Sequence, residues 1–151
     1  KENEIEQIKK EKDEALQERR KEEKTVLVLR DGERVAIRKR PAKGLLAGMY
    51  ELPNLEGYLS EEEILAWVEN QDLIPLQIVP LIDAKHIFSH VEWDMHGYLA
   101  AAEGENNEFL WADGAALQAA AIPSAFRYYF DTAVRWLAAQ QGGTDHGTAL
   151  L

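Results

Sequence analysis

The sequence predicts an α+β domain, on three observations. A β-branched run, Thr25 to Arg30, and an alternating one, Glu33 to Lys39, flank the tight-turn dipeptide Asp31-Gly32 as the strands of a hairpin do. A helical segment, Glu61 to Asn70, lies between strand-like runs and is opened by Ser60 and Glu63 at capping-box spacing. Two longer strand-like runs then precede a terminal helix that starts at Pro123 and carries Ala125, Tyr129, Ala133, Trp136 and Leu137 on one stripe.

Taken in order, residues 1–24 hold eight basic and nine acidic side chains and only Ile5, Ile8, Ala15 and Leu16 as apolar ones, too few for a core. Good helix formers and the Glu6–Lys10 spacing predict a solvated helix, read as a connector from an upstream domain. Its apolar seam fails after two turns, short of a coiled coil. Thr25 to Arg30 is the first strand, and Glu33 to Lys39, with Val35 and Ile37 between charged neighbours, the second. Pro41 ends it. Gly44 and Gly48 then bracket Leu45-Leu46-Ala47 in a loop that needs unusual backbone angles, and Pro53 stops the short run Met49 to Leu52. The helix over 61–70 offers Ile64, Leu65, Trp67 and Val68 as its apolar face. Leu76 to Ile82 and Val91 to Ala101 are two further strands; in the second, Val91, Trp93, Met95 and Leu99 alternate with Glu92, Asp94, His96 and Tyr98. A short strand over Phe109 to Trp111, a short helix over Ala115 to Ala121 and the terminal helix complete a domain spanning 25–140. Residues 141–151 are expected to be a flexible tail.

At 151 residues and 46% hydrophobic composition the chain can bury one core. Starting at Lys1, it is read as a piece of a longer protein. No apolar stretch approaches the roughly 18 residues of a membrane span, and no charged-then-apolar leader is visible. The expectation is a cytoplasmic, nucleoid-associated protein with no membrane partner. Zero cysteines exclude disulfides, thiolate metal sites and cysteine nucleophiles within these residues. The four histidines form no H-E-x-x-H pair, and no metal site is expected. The net charge of −10 argues against a surface that binds nucleic acid everywhere. After residue 24, however, six of the nine remaining Lys and Arg side chains fall between Arg30 and Lys43, so one edge is locally basic.

The most informative segment is His86-Ile87-Phe88-Ser89-His90, at the joint between the two long strands. A hairpin tip with an aromatic ring, a hydroxyl and two imidazoles can stack on a flat group while donating and accepting hydrogen bonds, which suits it to a nucleobase. The same residues also fit a polar turn whose Phe88 tucks into the core.

The segment Arg40-Pro41-x-x-Gly44-Leu45-Leu46-Ala47-Gly48-Met49-Tyr50-Glu51-Leu52-Pro53, followed some forty residues later by Phe88-Ser89-His90, resembles the C-terminal domain of MutY-type A/G-specific adenine DNA glycosylases. Pro123-Ser124-Ala125 also looks like that family's last helix start. The resemblance covers roughly residues 24 to 140. It implies a Nudix-like fold, a mixed sheet with helices packed on it, that recognises 8-oxoguanine opposite mispaired adenine in double-stranded DNA. By the same resemblance, catalysis belongs to an absent N-terminal domain with its own iron-sulfur cluster. This chain has no cysteine to hold such a cluster, and the fragment itself is expected to be non-catalytic.

Under this reading Phe88, Ser89 and His90 contact the lesion and DNA, Phe88 as a wedge or a loop support, and His86 supports the loop. Arg38, Lys39, Arg40 and Lys43 would hold phosphates if they share a face with the tip. Glu92 and Asp94, just beyond His90, are unfavourable for DNA unless they point away. Two alternatives stand beside it. One is an active Nudix pyrophosphohydrolase, which needs Arg-Glu-x-x-Glu-Glu on a helix to hold magnesium. No arginine occurs between Arg40 and Arg127, and Glu61 to Glu63 are better explained as first-turn acids that favour the helix dipole. The other is a non-catalytic protein interaction module.

Overall fold

The computed structural model describes residues 20–120 and 122–142. Its strands are β1 (Arg20–Asp31), β2 (Arg34–Lys39), β3 (Tyr50–Glu51), β4 (Asn54–Glu56), β5 (Ile74–Ile87), β6 (Val91–Glu103) and β7 (Leu110–Ala112). Its helices are α1 (Glu61–Asn70), α2 (Gly114–Ala119) and α3 (Arg127–Gly142), the last entered through a 3-10 turn at Ser124–Phe126. The strands form one sheet in the order β3-β2-β1-β6-β5, with β4 paired to β1 and β7 to β2. β1 and β6 run parallel, and the other described pairs are antiparallel. The sheet is therefore mixed and the fold α+β, as the sequence predicts.

β1 lies at the centre and is buried on both sides, which explains why Val26 to Leu29 reads as an unbroken apolar run. Val26 and Val28, with Trp93, Met95 and Leu99 of β6, face Phe126 and the α3 stripe Tyr129, Ala133, Trp136 and Leu137. Leu27 and Leu29, with Ala100 and Ala102, face Ile64 and Val68 of α1. Helices thus cover the two faces of one sheet. The Ser60–Glu63 capping box forms in both directions, at 3.1 and 3.2 Å. Leu65, expected on the buried face of α1, is instead exposed, while Ile64 and Val68 are buried against the sheet and Trp67 packs, half-buried, beside them. Among the described residues no helix is long and apolar enough to cross a membrane.

Several boundaries differ from expectation, and β5 runs from Ile74 to Ile87 rather than from Leu76 to Ile82, so that His86 and Ile87 belong to the strand and the tip is residues 88–90. The first strand begins at Arg20 rather than Thr25, so Arg20 to Lys24 belong to the sheet and not to a helical connector. These polar residues have no strand pattern of their own; pairing with Val91 to Met95 of β6 makes them a strand. β4, just past Pro53, pairs with Lys24 to Val26 and was not foreseen, because its register depends on that extension. α3 runs to Gly142. The body of the expected connector, residues 1–19, and residues 143–151 of the expected tail lie outside the described residues.

One contact ties the long hairpin to α3. A Cβ added at Gly97 of β6 would lie 2.1 Å from the Tyr129 ring, so glycine is what lets that ring reach the sheet. The Tyr129 hydroxyl lies 3.0 Å from the Ile82 carbonyl and 3.2 Å from that of Met95, and donates to one at a time. Ile82 sits where the β5–β6 register shifts, between Leu81 and Ala84. The hydroxyl therefore pins the bulge that sets the phase of the last β5 residues. Tyr129→Phe is expected to cost about 1–2 kcal/mol by leaving these carbonyls without their donor. Gly97→Ala should cost about 3 kcal/mol or more through overpacking. Urea unfolding measures both; Gly97→Ala as stable as the parent would disprove the close-approach account.

Candidate nucleic-acid interface

The strands β5 and β6 close at residues 88–90, where the Phe88 N–H donates to the Val91 carbonyl at 2.7 Å. The His86 ring meets Phe88 edge-on at 4.6 Å, and Phe88 meets Trp93 edge-on at 5.0 Å. His86 and Trp93 are partners in the ladder, so the phase of the hairpin turns both toward α3. Phe88 consequently packs, half-buried, against the main core, as a support rather than an exposed wedge. Ser89 and His90 are left exposed at the tip, and the hydroxyl and backbone of Ser89 are open to donate or accept.

Trp93, almost fully buried, is the floor under this tip. The Lys24 ammonium lies 4.8 Å from the centre of its ring and the Arg40 guanidinium 5.4 Å. Both cations are themselves anchored. Lys24 pairs with Glu56 at 2.7 Å. Arg40 donates to Glu51 at 2.5 Å, Arg38 to the other Glu51 oxygen at 2.8 Å, and Asn54 to Glu51 at 2.9 Å. Glu51 is only 5% exposed, so its charge is stable there only because these donors meet it. Arg40 also donates to the Leu45 carbonyl at 3.1 Å, holding the 44–48 loop, in which Gly44, Leu46 and Gly48 all take positive φ. The unusual angles expected of that loop are present, and Leu46, at φ 57°, is the strained member.

This arrangement divides the four phosphate candidates. Arg38 and Arg40 are engaged by Glu51, and releasing either to a phosphate would leave a buried carboxylate short of a donor. Lys39 and Lys43 are exposed. Sequence reasoning noted Glu51 only as part of a motif. It missed Lys24 and Trp93 because what joins them is the parallel ladder, for which there is no local signal.

Glu92 and Asp94 lie on the sheet face opposite Trp93, and Glu92 is nearly buried. Burial raises the Asp94 carboxyl above the usual range, and its hydrogen bond and repulsion with Glu92 raise it further. Burial alone would lift Glu92 as well, but the hydrogen bond with Asp94 and the charges of Lys85 and Lys21 carry it below its ordinary value. Asp94 is thus the member of the pair that takes up a proton first as the pH falls.

α1 is the helix on which a Nudix hydrolase would carry its magnesium ligands. Glu61, Glu62 and Glu63 are exposed in its first turn, and Glu63 is spent on the capping box. The rest reads Ile64 to Asn70 with no arginine, and among the described residues no three His, Asp or Glu side chains converge as metal ligands. The residues present do not fit a Nudix magnesium centre.

Glu51→Gln is expected to destabilise the domain by about 3 kcal/mol, since it leaves two arginines facing a neutral amide, whereas Lys39→Ala should change stability by less than about 0.5 kcal/mol. Thermal or urea unfolding of the two variants side by side decides this, and equal effects would mean that Glu51 is not the anchor of the loop.

Solved structures with the same fold include the C-terminal domain of mouse MUTYH in complex with human PCNA, at 24% identity, covering 75% of this chain and 90% of that one, TM-score 0.57. The E. coli ORF135 protein matches at 13% identity over 84% and 96% of the two chains, TM-score 0.56. A MutT structure from work on Aliivibrio salmonicida and Vibrio cholerae matches at 17% identity over 77% and 98%, TM-score 0.56. At these identities the likeness is one of fold. The family model described as the NUDIX domain matches residues 25–132, most of the chain, and the chain belongs to the NUDIX domain family.

Proposed function

We propose that this chain is the lesion-reading domain of an adenine DNA glycosylase, which recognises 8-oxoguanine opposite mispaired adenine in duplex DNA. The observation that carries the reading is the tip, where Ser89 and His90 are exposed on a hairpin end braced from beneath by His86, Phe88 and Trp93. The Phe88-Ser89-His90 and Gly44 to Pro53 motifs and the likeness to the mouse MUTYH C-terminal domain support it. 8-Oxoguanine differs from guanine in its C8 carbonyl and in a proton on N7, so its reader must accept where a guanine reader donates. A serine hydroxyl and free backbone groups do both. One good base contact is worth about 1–3 kcal/mol, so the loop supplies part of the discrimination and a separate catalytic domain the rest. Base excision, and the iron-sulfur cluster expected with it, belong to that domain. The mouse domain's complex with PCNA favours a protein partner in addition to DNA.

The likeness to MutT structures favours a second reading, a nucleotide pyrophosphohydrolase. The misfit of α1 to that chemistry places it second. One set of measurements separates the two. Ser89→Ala is expected to lower the preference for 8-oxoguanine:adenine over guanine:adenine duplexes by about 1–2 kcal/mol with stability nearly unchanged, since an exposed serine buries little. His90→Ala should weaken both duplexes together. Fluorescence anisotropy at one low salt concentration reads the ratio, and a Ser89→Ala, His90→Ala double variant with the parent ratio would reduce the loop to a turn. Magnesium-dependent release of monophosphate from 8-oxo-dGTP, in proportion to protein, would establish the hydrolase reading instead.

A further inference from the structure

We infer that the duplex backbone beside the reading loop is held by Arg20 and Lys21, at the start of β1, and not by the Arg38 to Lys43 cluster. The inference rests on the lesion-reading proposal and adds to it the surface that positions the DNA.

Arg20 donates its backbone N–H to the His90 carbonyl at 3.1 Å, and the parallel ladder sets Arg20 beside Val91 and Lys21 beside Glu92. Adjacent strands lie about 4.8 Å apart, so both basic residues stand within one strand spacing of the loop. The pleat sends their side chains to opposite faces of the sheet. Arg20 shares the face of Trp93 and Phe88, Lys21 that of Glu92, and the two straddle the tip.

Both charges are available. The Arg20 side chain is 70% exposed, and its ion pair is a surface one, 2.8 Å to Glu22 on its own strand. Such a pair contributes little to stability, so a phosphate can replace it at little cost. Lys21 is exposed, and its charge reaches the Glu92–Asp94 pair from the end of the sheet. The strand is also polarised: Arg20 and Lys21 lie at the loop, Glu22 and Glu23 further from it. An anionic duplex is drawn to the tip and turned away from the sheet behind it. By contrast, Arg38 and Arg40 cannot leave Glu51 without stranding a buried charge.

The test is a salt titration of binding by the intact chain, using fluorescein-labelled duplexes with 8-oxoguanine:adenine or guanine:adenine. In the Arg20→Ser, Lys21→Ser variant the slope of log K against log salt should become shallower by about 2, with both duplexes weakened alike. Lys39→Ser, Lys43→Ser, the exposed part of the rival cluster, should leave the slope at the parent value. Circular dichroism melts confirm that both variants fold. If the slope follows Lys39 and Lys43 while Arg20 and Lys21 leave it unchanged, the inference is overturned and lesion reading stands. Loss of lesion preference alone in the Arg20, Lys21 variant also overturns it, since those residues would then read a base. An unchanged duplex ratio in Ser89→Ala, together with the expected slope changes, sinks lesion reading and leaves a phosphate-binding edge. A parent chain that binds neither duplex overturns both.

Discussion

The parallel pairing of β1 with β6 is the constraint on which the rest of this structure depends. It runs without a break from Arg20↔Val91 to Arg30↔Ala101. Parallel strands cannot be joined by a tight turn, so a long connection has to run between them, and it supplies β2 to β5 of the same sheet and α1 packed on it. The ladder makes β1 a central strand buried on both faces. It also fixes what lies at each end: at one end Arg30 meets the β1–β2 turn, and at the other Arg20 meets the hairpin tip. A shift of one residue would turn Lys24 away from Trp93 and exchange the faces of Arg20 and Lys21.

From that ladder a chain of anchored contacts reaches the tip. Glu51 holds Arg38, Arg40 and Asn54; Arg40 and Lys24 lie over Trp93; Trp93 supports Phe88, and Phe88 supports His86. Beyond the two ion pairs and the Asn54 hydrogen bond, the chain consists of two cation–π contacts and two ring–ring contacts, the ring pairs worth about 0.5–1.5 kcal/mol each beyond burial, and together they brace the loop from beneath. The exposed Ser89 then sits on a preformed support, which reduces the ordering cost of binding. The buried carboxylate thus acts on the site at a distance, through position, while itself contacting only protein groups.

What was legible in the sequence was local. The Asp31-Gly32 turn, the Ser60–Glu63 cap, the alternation of β6 and the α3 stripe each depend on neighbours within a few residues, and each stands where its pattern placed it. What was illegible depended on partners far along the chain. Arg20 to Lys24 have the composition of a solvated helix and become a strand only because β6 pairs with them. β4 exists because that extended β1 offers it an edge. Arg38 and Arg40 look like surface charges until Glu51, more than ten residues later, faces them. For Phe88 the sequence left two readings open, a wedge or a support tucked against the core, and the packing of its ring on Trp93, set by a register shift between Leu81 and Ala84 that no composition marks, decides for the support.

On the lesion-reading proposal, this distribution of charge has a physical logic. A chain with net charge −10 is repelled by DNA overall, and exposed cations are few among the described residues. Weak, short-ranged attachment is an advantage for a reader, since a strong phosphate contribution binds damaged and undamaged duplex equally and carries no sequence information. Discrimination of about 1–3 kcal/mol at the loop is useful only where non-specific affinity does not saturate the domain first. On that proposal the acidic body and the small basic edge belong to one arrangement: repulsion would orient the approach, a few phosphate contacts would set the distance, and the exposed serine would face the base edge that distinguishes 8-oxoguanine from guanine.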